Sequence, residues 1–164
     1  MTNEQIVLFV LWITLPVILY KVIPKSRRRE MVAVFLFFQT LTWIFSITLT
    51  YFGLLSAPVR EFPDATKVNF SLEYIAFPTA AVLFQLWYPE NKGKVRRTVH
   101  YIVTVAGILF FMLIVGELTE LMSVNIDNLI RSFCNFTIEL LLVRRYIVWF
   151  MKPVSTNTIG VSPS

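Results

Sequence analysis

The stretch TVHYIVTVAGILFFMLIVG, residues 98–116, contains no Asp, Glu, Lys or Arg. At about 1.5 Å of rise per residue, a helix of this length comes close to the roughly 30 Å of hydrocarbon in a bilayer. Its residues are predominantly apolar, as a membrane-spanning helix requires. Read this way, residues 98–118 form a membrane-spanning helix, and the rest of the chain is organised around that assignment.

Working outward, the same pattern recurs. Residues 70–88 read as a second such helix, with Glu73 near its start, Pro78 in its middle, Gln85 near its end and Trp87–Tyr88 as an interfacial anchor. Residues 31–55 carry no charge, and their hydroxyl side chains can bond back to the helix or across to a neighbour. Residues 6–23 are apolar on all faces, with Pro16 expected to kink a helix that a membrane tolerates. The weakest segment is 129–150, where Arg144 and Arg145 interrupt the apolar run. It is expected to be one helix; the alternative ends the span at the two arginines and lays residues 146–152 along the interface. The fold class is therefore all-α: an integral membrane bundle of five transmembrane helices in a single domain, residues 1–152, with residues 153–164 as a flexible cytoplasmic tail.

Composition agrees. The chain is 56% hydrophobic and 15% charged, with a mean hydropathy of +0.67, whereas soluble domains carry about 25% charged residues. Five spans and short loops use up 164 residues, so any chemistry has to sit among the helices. The net charge of +5 reads as lipid anchoring rather than nucleic-acid binding, because Lys and Arg lie beside the spans. Cys134 is the sole cysteine, so neither an internal disulfide nor a cysteine metal cluster is available, and it reads as a small packing residue. Residues 1–5 lack Lys and Arg, and the first positive cluster follows the first apolar run, the reverse of a secretory signal. The first segment is thus expected to be a retained span.

Charge also orients the chain. Lys21, Lys25, Arg27, Arg28 and Arg29 follow the first segment, Lys92, Lys94, Arg96 and Arg97 follow the third, and Arg144, Arg145 and Lys152 close the fifth. These twelve of the 15 basic residues share one side if the N-terminus is outside and the C-terminus inside. Arg144 and Arg145 are expected to snorkel to lipid phosphate.

That topology gathers the acids. Glu73, Glu117 and Glu120 fall near the outer surface, and Glu139 lies about 15 Å in if its helix begins near Leu129. A carboxylate at mid-membrane costs at least about 2.5 kcal/mol, which favours facing the bundle interior, pairing or protonation. Glu139, Glu73, Glu117 and Glu120 are therefore the candidate solute or proton site, with Glu139 the strongest member. The bland readings are headgroup acids for Glu73, Glu117 and Glu120, and a structural pairing of Glu139 with Arg131, Gln39 or a hydroxyl. Gln39 and Gln85 can hydrogen-bond between helices, Ala76, Ala80 and Ala81 can permit close packing, and His100 is expected to face headgroups. No phosphate loop, dinucleotide glycine pattern, HExxH or serine elbow is present. Neither a catalytic set nor a cofactor or metal site is expected.

In length and five-span layout the chain resembles a family of small, uncharacterised multi-span membrane proteins of spore-forming Gram-positive bacteria of the Bacillus and Clostridium kind. The resemblance is carried by Glu73 to Pro78, by Tyr88-Pro89 and by Glu117 closing the fourth segment. It implies a multi-pass protein of a bacterial plasma membrane and carries no activity. The expected function is a non-enzymatic structural, sensory or accessory subunit that meets the lipid bilayer and a membrane-protein partner or a second copy of itself. The alternative is a small carrier or binding subunit for a cation, proton or small solute. An intramembrane enzyme acting on lipid is the least favoured reading, because no second chemical group is evident near Glu139.

Overall fold

A computed structural model describes residues 3–54, 64, 69–119, 121 and 125–152. Within them the chain is all-α: α1 (Asn3–Val22), a 3-10 turn (Lys25–Arg27), α2 (Arg28–Tyr51), a π-helical segment (Leu72–Ala76) leading into α3 (Phe77–Leu86), α4 (Lys94–Leu118) and α5 (Ile126–Phe150). The tail, residues 153–164, and Glu120 lie outside the described residues. Among the described residues, three helical stretches are long and apolar enough to cross a membrane: Asn3–Val22, Lys25–Tyr51 and Lys94–Leu118. The other two fall short for different reasons. Leu72–Leu86 is a shorter apolar helix, reaching only roughly 22 Å at 1.5 Å per residue. α5 has the length but carries Asp127, Arg131, Glu139, Arg144 and Arg145.

The shortest helix is the most buried. Phe77, Pro78, Thr79, Ala81, Val82, Phe84 and Gln85 of α3 are all buried, so almost every face of it is covered. Its neighbours are α2, α4 and α5, while α1 meets the π-helical segment. α2 also packs on α5, and α5 on α4, which closes a bundle around the central α3. Each surrounding helix contributes one stripe. On α2 it is Met31, Val34, Phe38, Thr42 and Ser46; on α4 it is Val105, Ile108, Met112 and Val115. These spacings of three and four residues are one face of an α-helix. Phe37 stacks on Tyr146 at 3.9 Å between α2 and α5, and Phe77 meets Phe136 at 4.8 Å between α3 and α5.

α1 stands apart. None of its residues is fully buried, and it touches the core through the partly buried Leu8, Leu11, Leu15 and Leu19. The helix runs unbroken through Pro16. α4 begins one turn before the expected residue 98, and α5 begins at Ile126, where the Asn125 side chain accepts the Asn128 N–H as an N-cap. The helix of α5 continues through both arginines to Phe150 without a break.

The π-helical segment is the one element the sequence does not announce. Phe77 N–H donates to the Leu72 carbonyl, five residues back. Pro78 has no N–H, so the Tyr74 carbonyl lacks its ordinary helical donor. Gln39 of α2 supplies one, with Nε2 3.3 Å from that oxygen. A neighbouring helix thus supplies a donor to the carbonyl that proline releases.

Candidate functional site

Two acids enter the bundle interior. Glu73 sits in the π-helical segment and is 6% exposed; Glu139, on α5, is fully buried. Each is held by one neutral donor. The Ser46 hydroxyl of α2 donates a short hydrogen bond to Glu73 Oε1. Asn135 Nδ2, one turn back on α5, lies 3.0 Å from Glu139 Oε1. Glu139 Oε2 has no hydrogen-bond partner among the described residues, and the same holds for Asn69 Nδ2 and Thr50 Oγ1. Asn69 precedes the π-helical segment and its Oδ1 accepts the Leu72 N–H at 3.0 Å. Thr42, Ser46 and Thr50 follow one another at four-residue spacing, so α2 lays a hydroxyl stripe along its inner face. At the same end, Trp12 Nε1 donates to Ser71 Oγ at 2.8 Å and pins α1 beside Glu73.

The four expected site acids therefore separate. Glu73 and Glu139 are both buried in the bundle; Glu117 is exposed at the end of α4; Glu120 lies outside the described residues. The headgroup reading of Glu73 is corrected, because the π-helical turn carries it into the bundle and Ser46 is placed to receive it. Arg131 donates to the Leu54 carbonyl beyond α2, at 3.1 Å.

A second polar cluster closes the opposite, basic end. Arg27 grips Glu30 through Nε and Nη2, both at 2.9 Å. Its Nη1 lies 2.9 Å from the Leu86 carbonyl and its Nη2 3.4 Å from that of Gln85. These carbonyls belong to the last turn of α3, where helical donors run out and a cation meets the negative end of the helix dipole. Gln85 Nε2 donates to Glu30 Oε1 at 2.8 Å, and Arg144 Nη1 reaches both Gln85 Oε1 at 3.3 Å and Glu90 Oε1 at 2.9 Å. The Arg144 guanidinium also stands 4.1 Å over the Tyr88 ring, a cation–π geometry. One chain of contacts thus joins the start of α2, the end of α3, the loop after it and α5. It borders a cavity of about 710 Å³.

Three expectations change here. Arg144 turns inward to Gln85, Glu90 and Tyr88 instead of reaching for phosphate, while Arg145 is exposed. His100 faces α3, with Nε2 2.9 Å from the Phe84 carbonyl and its ring stacked on Phe84. Cys134 lies exposed on α5 rather than packed. Gln39 and Gln85 do bridge helices as expected. Glu30 and Glu90 were not singled out from the sequence. Arg27 and Glu30 stand three apart, the spacing of neighbours on a helix face, and that signal was present; Glu90, in a loop, gave none.

Chemically, the described residues offer carboxyls, amides and hydroxyls. Among them there is no cluster of three or more His, Cys, Asp or Glu able to hold a metal. No family model matches the chain, and neither a curated protein nor a solved structure is similar to it. What stands is an all-α protein with candidate membrane-spanning helices.

Proposed function

We propose that the chain is a non-enzymatic, multi-pass protein of a bacterial plasma membrane, an accessory or structural subunit whose five helices all cross the bilayer with the N-terminus outside. The observation that carries this reading is where the polar side chains go. Ser46 meets Glu73, Gln39 meets the Tyr74 carbonyl, Trp12 meets Ser71, and Arg144 meets Gln85 and Glu90. Each contact fastens one helix or loop to another. Polar groups of α5 that turn inward and find partners also ease its passage through hydrocarbon, since intramembrane charges face the bundle and pair. Membrane-permeant cross-linking in cells, followed by sizing of the detergent-purified protein, tests the subunit role. A discrete assembly larger than the 19.1 kDa chain is expected; a single uncomplexed chain under both conditions contradicts it.

A second reading is favoured by one observation. Among the described residues, the buried Glu139 Oε2 has no hydrogen-bond partner. Buried polar atoms without protein partners mark places for water, protons or ions. On this reading the protein binds or conducts a proton or small cation. Reconstituted vesicles loaded with a pH- or sodium-sensitive dye distinguish it: flux that disappears in Glu139→Gln supports conduction, and flux equal to that of empty vesicles removes it.

A further inference from the structure

A groove of about 510 Å³ lies among α1, α3 and α4, away from the two acids. Ala76 at the end of the π-helical segment, Ala80 of α3 and Gly107 of α4 border it. Small residues usually let helices close on each other, yet a Cβ built on Gly107 meets nothing within 4 Å. The helices stay apart where the sequence would let them touch. The groove runs from Trp87 and His100 at the basic end to Phe111 deeper along α4. In size and apolar lining it falls within the range of ligand sites, roughly 300–1,000 Å³. Arg96 stands four residues before His100 on α4 and so shares its face, one turn beyond the mouth. Arg97, in the same turn, donates instead to the Glu90 carbonyl. An apolar slot with a cation one turn beyond its mouth complements a ligand with a hydrocarbon chain below a negative headgroup.

The geometry points to a binding site for an anionic phospholipid of the leaflet that meets the Lys94–Arg97 turn, with one acyl chain along Ala76, Ala80 and Gly107 and its phosphate at Arg96. The site rests on the membrane reading above and is independent of the subunit role. It holds lipid as a resident component of the bundle, wedged between α1 and the α3–α4 pair.

Tryptophan fluorescence in vesicles containing lipids with brominated acyl chains tests it. Trp87 borders the groove, and its share of the signal is what Trp87→Phe removes. Trp43 lies on the outward face of α2 at 43% exposure and reports general contact with lipid. Brominated phosphatidylglycerol is expected to quench Trp87 at about one-fifth the mole fraction that brominated phosphatidylcholine needs, the preference that one well-placed arginine confers. Arg96→Gln removes that preference. Gly107→Leu, which fills open space, abolishes the saturable quenching of Trp87 and leaves Trp43 unchanged. Thr48→Ala, on α2 and outside the groove, leaves the binding intact. Equal quenching by the two lipids, or quenching indifferent to Gly107→Leu, overturns the site. No quenching of Trp43 by either lipid overturns the membrane reading instead.

Discussion

Ser46 carries more of the structure than its size suggests. Among the described residues, its hydroxyl is the donor to a carboxyl group that the bundle has taken out of contact with its surroundings. Leaving such an acceptor without its donor costs about 1–3 kcal/mol, more when it is charged. Ser46→Ala is therefore expected to lower the thermal midpoint of the detergent-solubilised protein clearly. Thr48→Ala, whose hydroxyl bonds back to Ile44 on its own helix, should change it little. A differential scanning measurement in which both variants melt alike contradicts the role of Ser46. Glu139 adds a second residue-scale expectation. Gln in its place keeps the shape and the oxygen facing Asn135, so Glu139→Gln should fold and insert normally. Glu139→Leu leaves the Asn135 amide without its acceptor, and the yield of folded protein in membranes should fall below that of Glu139→Gln.

At the scale of elements, the π-helical turn, Pro78 and Gln39 act as one unit. Gln39→Leu strips the donor from the Tyr74 carbonyl and should cost roughly 0.6–2 kcal/mol. Restoring a backbone N–H with Pro78→Ala should make Gln39→Leu less harmful, so the double variant is expected to be more stable than the sum of the single effects. Strict additivity in chemical denaturation would show that the two residues are independent. A companion expectation concerns the basic end. Arg144→Ala leaves Gln85 and Glu90 without a shared partner and loosens α5 from α3. Hydrogen exchange is expected to accelerate in the last turns of both helices and to leave α4 unaffected.

Much of this architecture was legible. Runs of apolar residues located every helix to within a turn or so, because hydropathy follows directly from the cost of bare polar groups in lipid. The interhelical use of Gln39 and Gln85 was legible for the same reason. The π-helical turn was not, since it depends on how Leu72–Ala76 meets α2 and α1 and has no local signature. Nor was the separation of the acids. Spacing from the ends of the spans put Glu73 and Glu117 at one depth, but the direction each side chain faces is set by helix rotation, which packing decides. Arg144 was misread for a related reason: an arginine near a span end snorkels unless an acceptor is nearer, and Gln85 and Glu90 are nearer only in three dimensions.

For the whole molecule, the arrangement is a short, nearly fully buried central helix sheathed by longer ones, with polar fasteners at both ends. It explains how Leu72–Leu86 and α5 can sit in a bilayer although neither meets the criteria of length and charge alone. Glu73, Gln85, Glu139 and Arg144 turn toward the bundle, and α1, α2 and α4 present apolar faces outward, including Phe9, Trp43, Ile47, Val103 and Phe110. The most direct test is cysteine labelling in intact cells with a membrane-impermeant maleimide, on a Cys134→Ser background. Asn3→Cys and Asp127→Cys are expected to react from outside, and Asn91→Cys and Lys152→Cys only after the membrane is opened. Labelling of Asp127→Cys and Lys152→Cys from the same side would mean that α5 does not cross, and the five-helix account would fail.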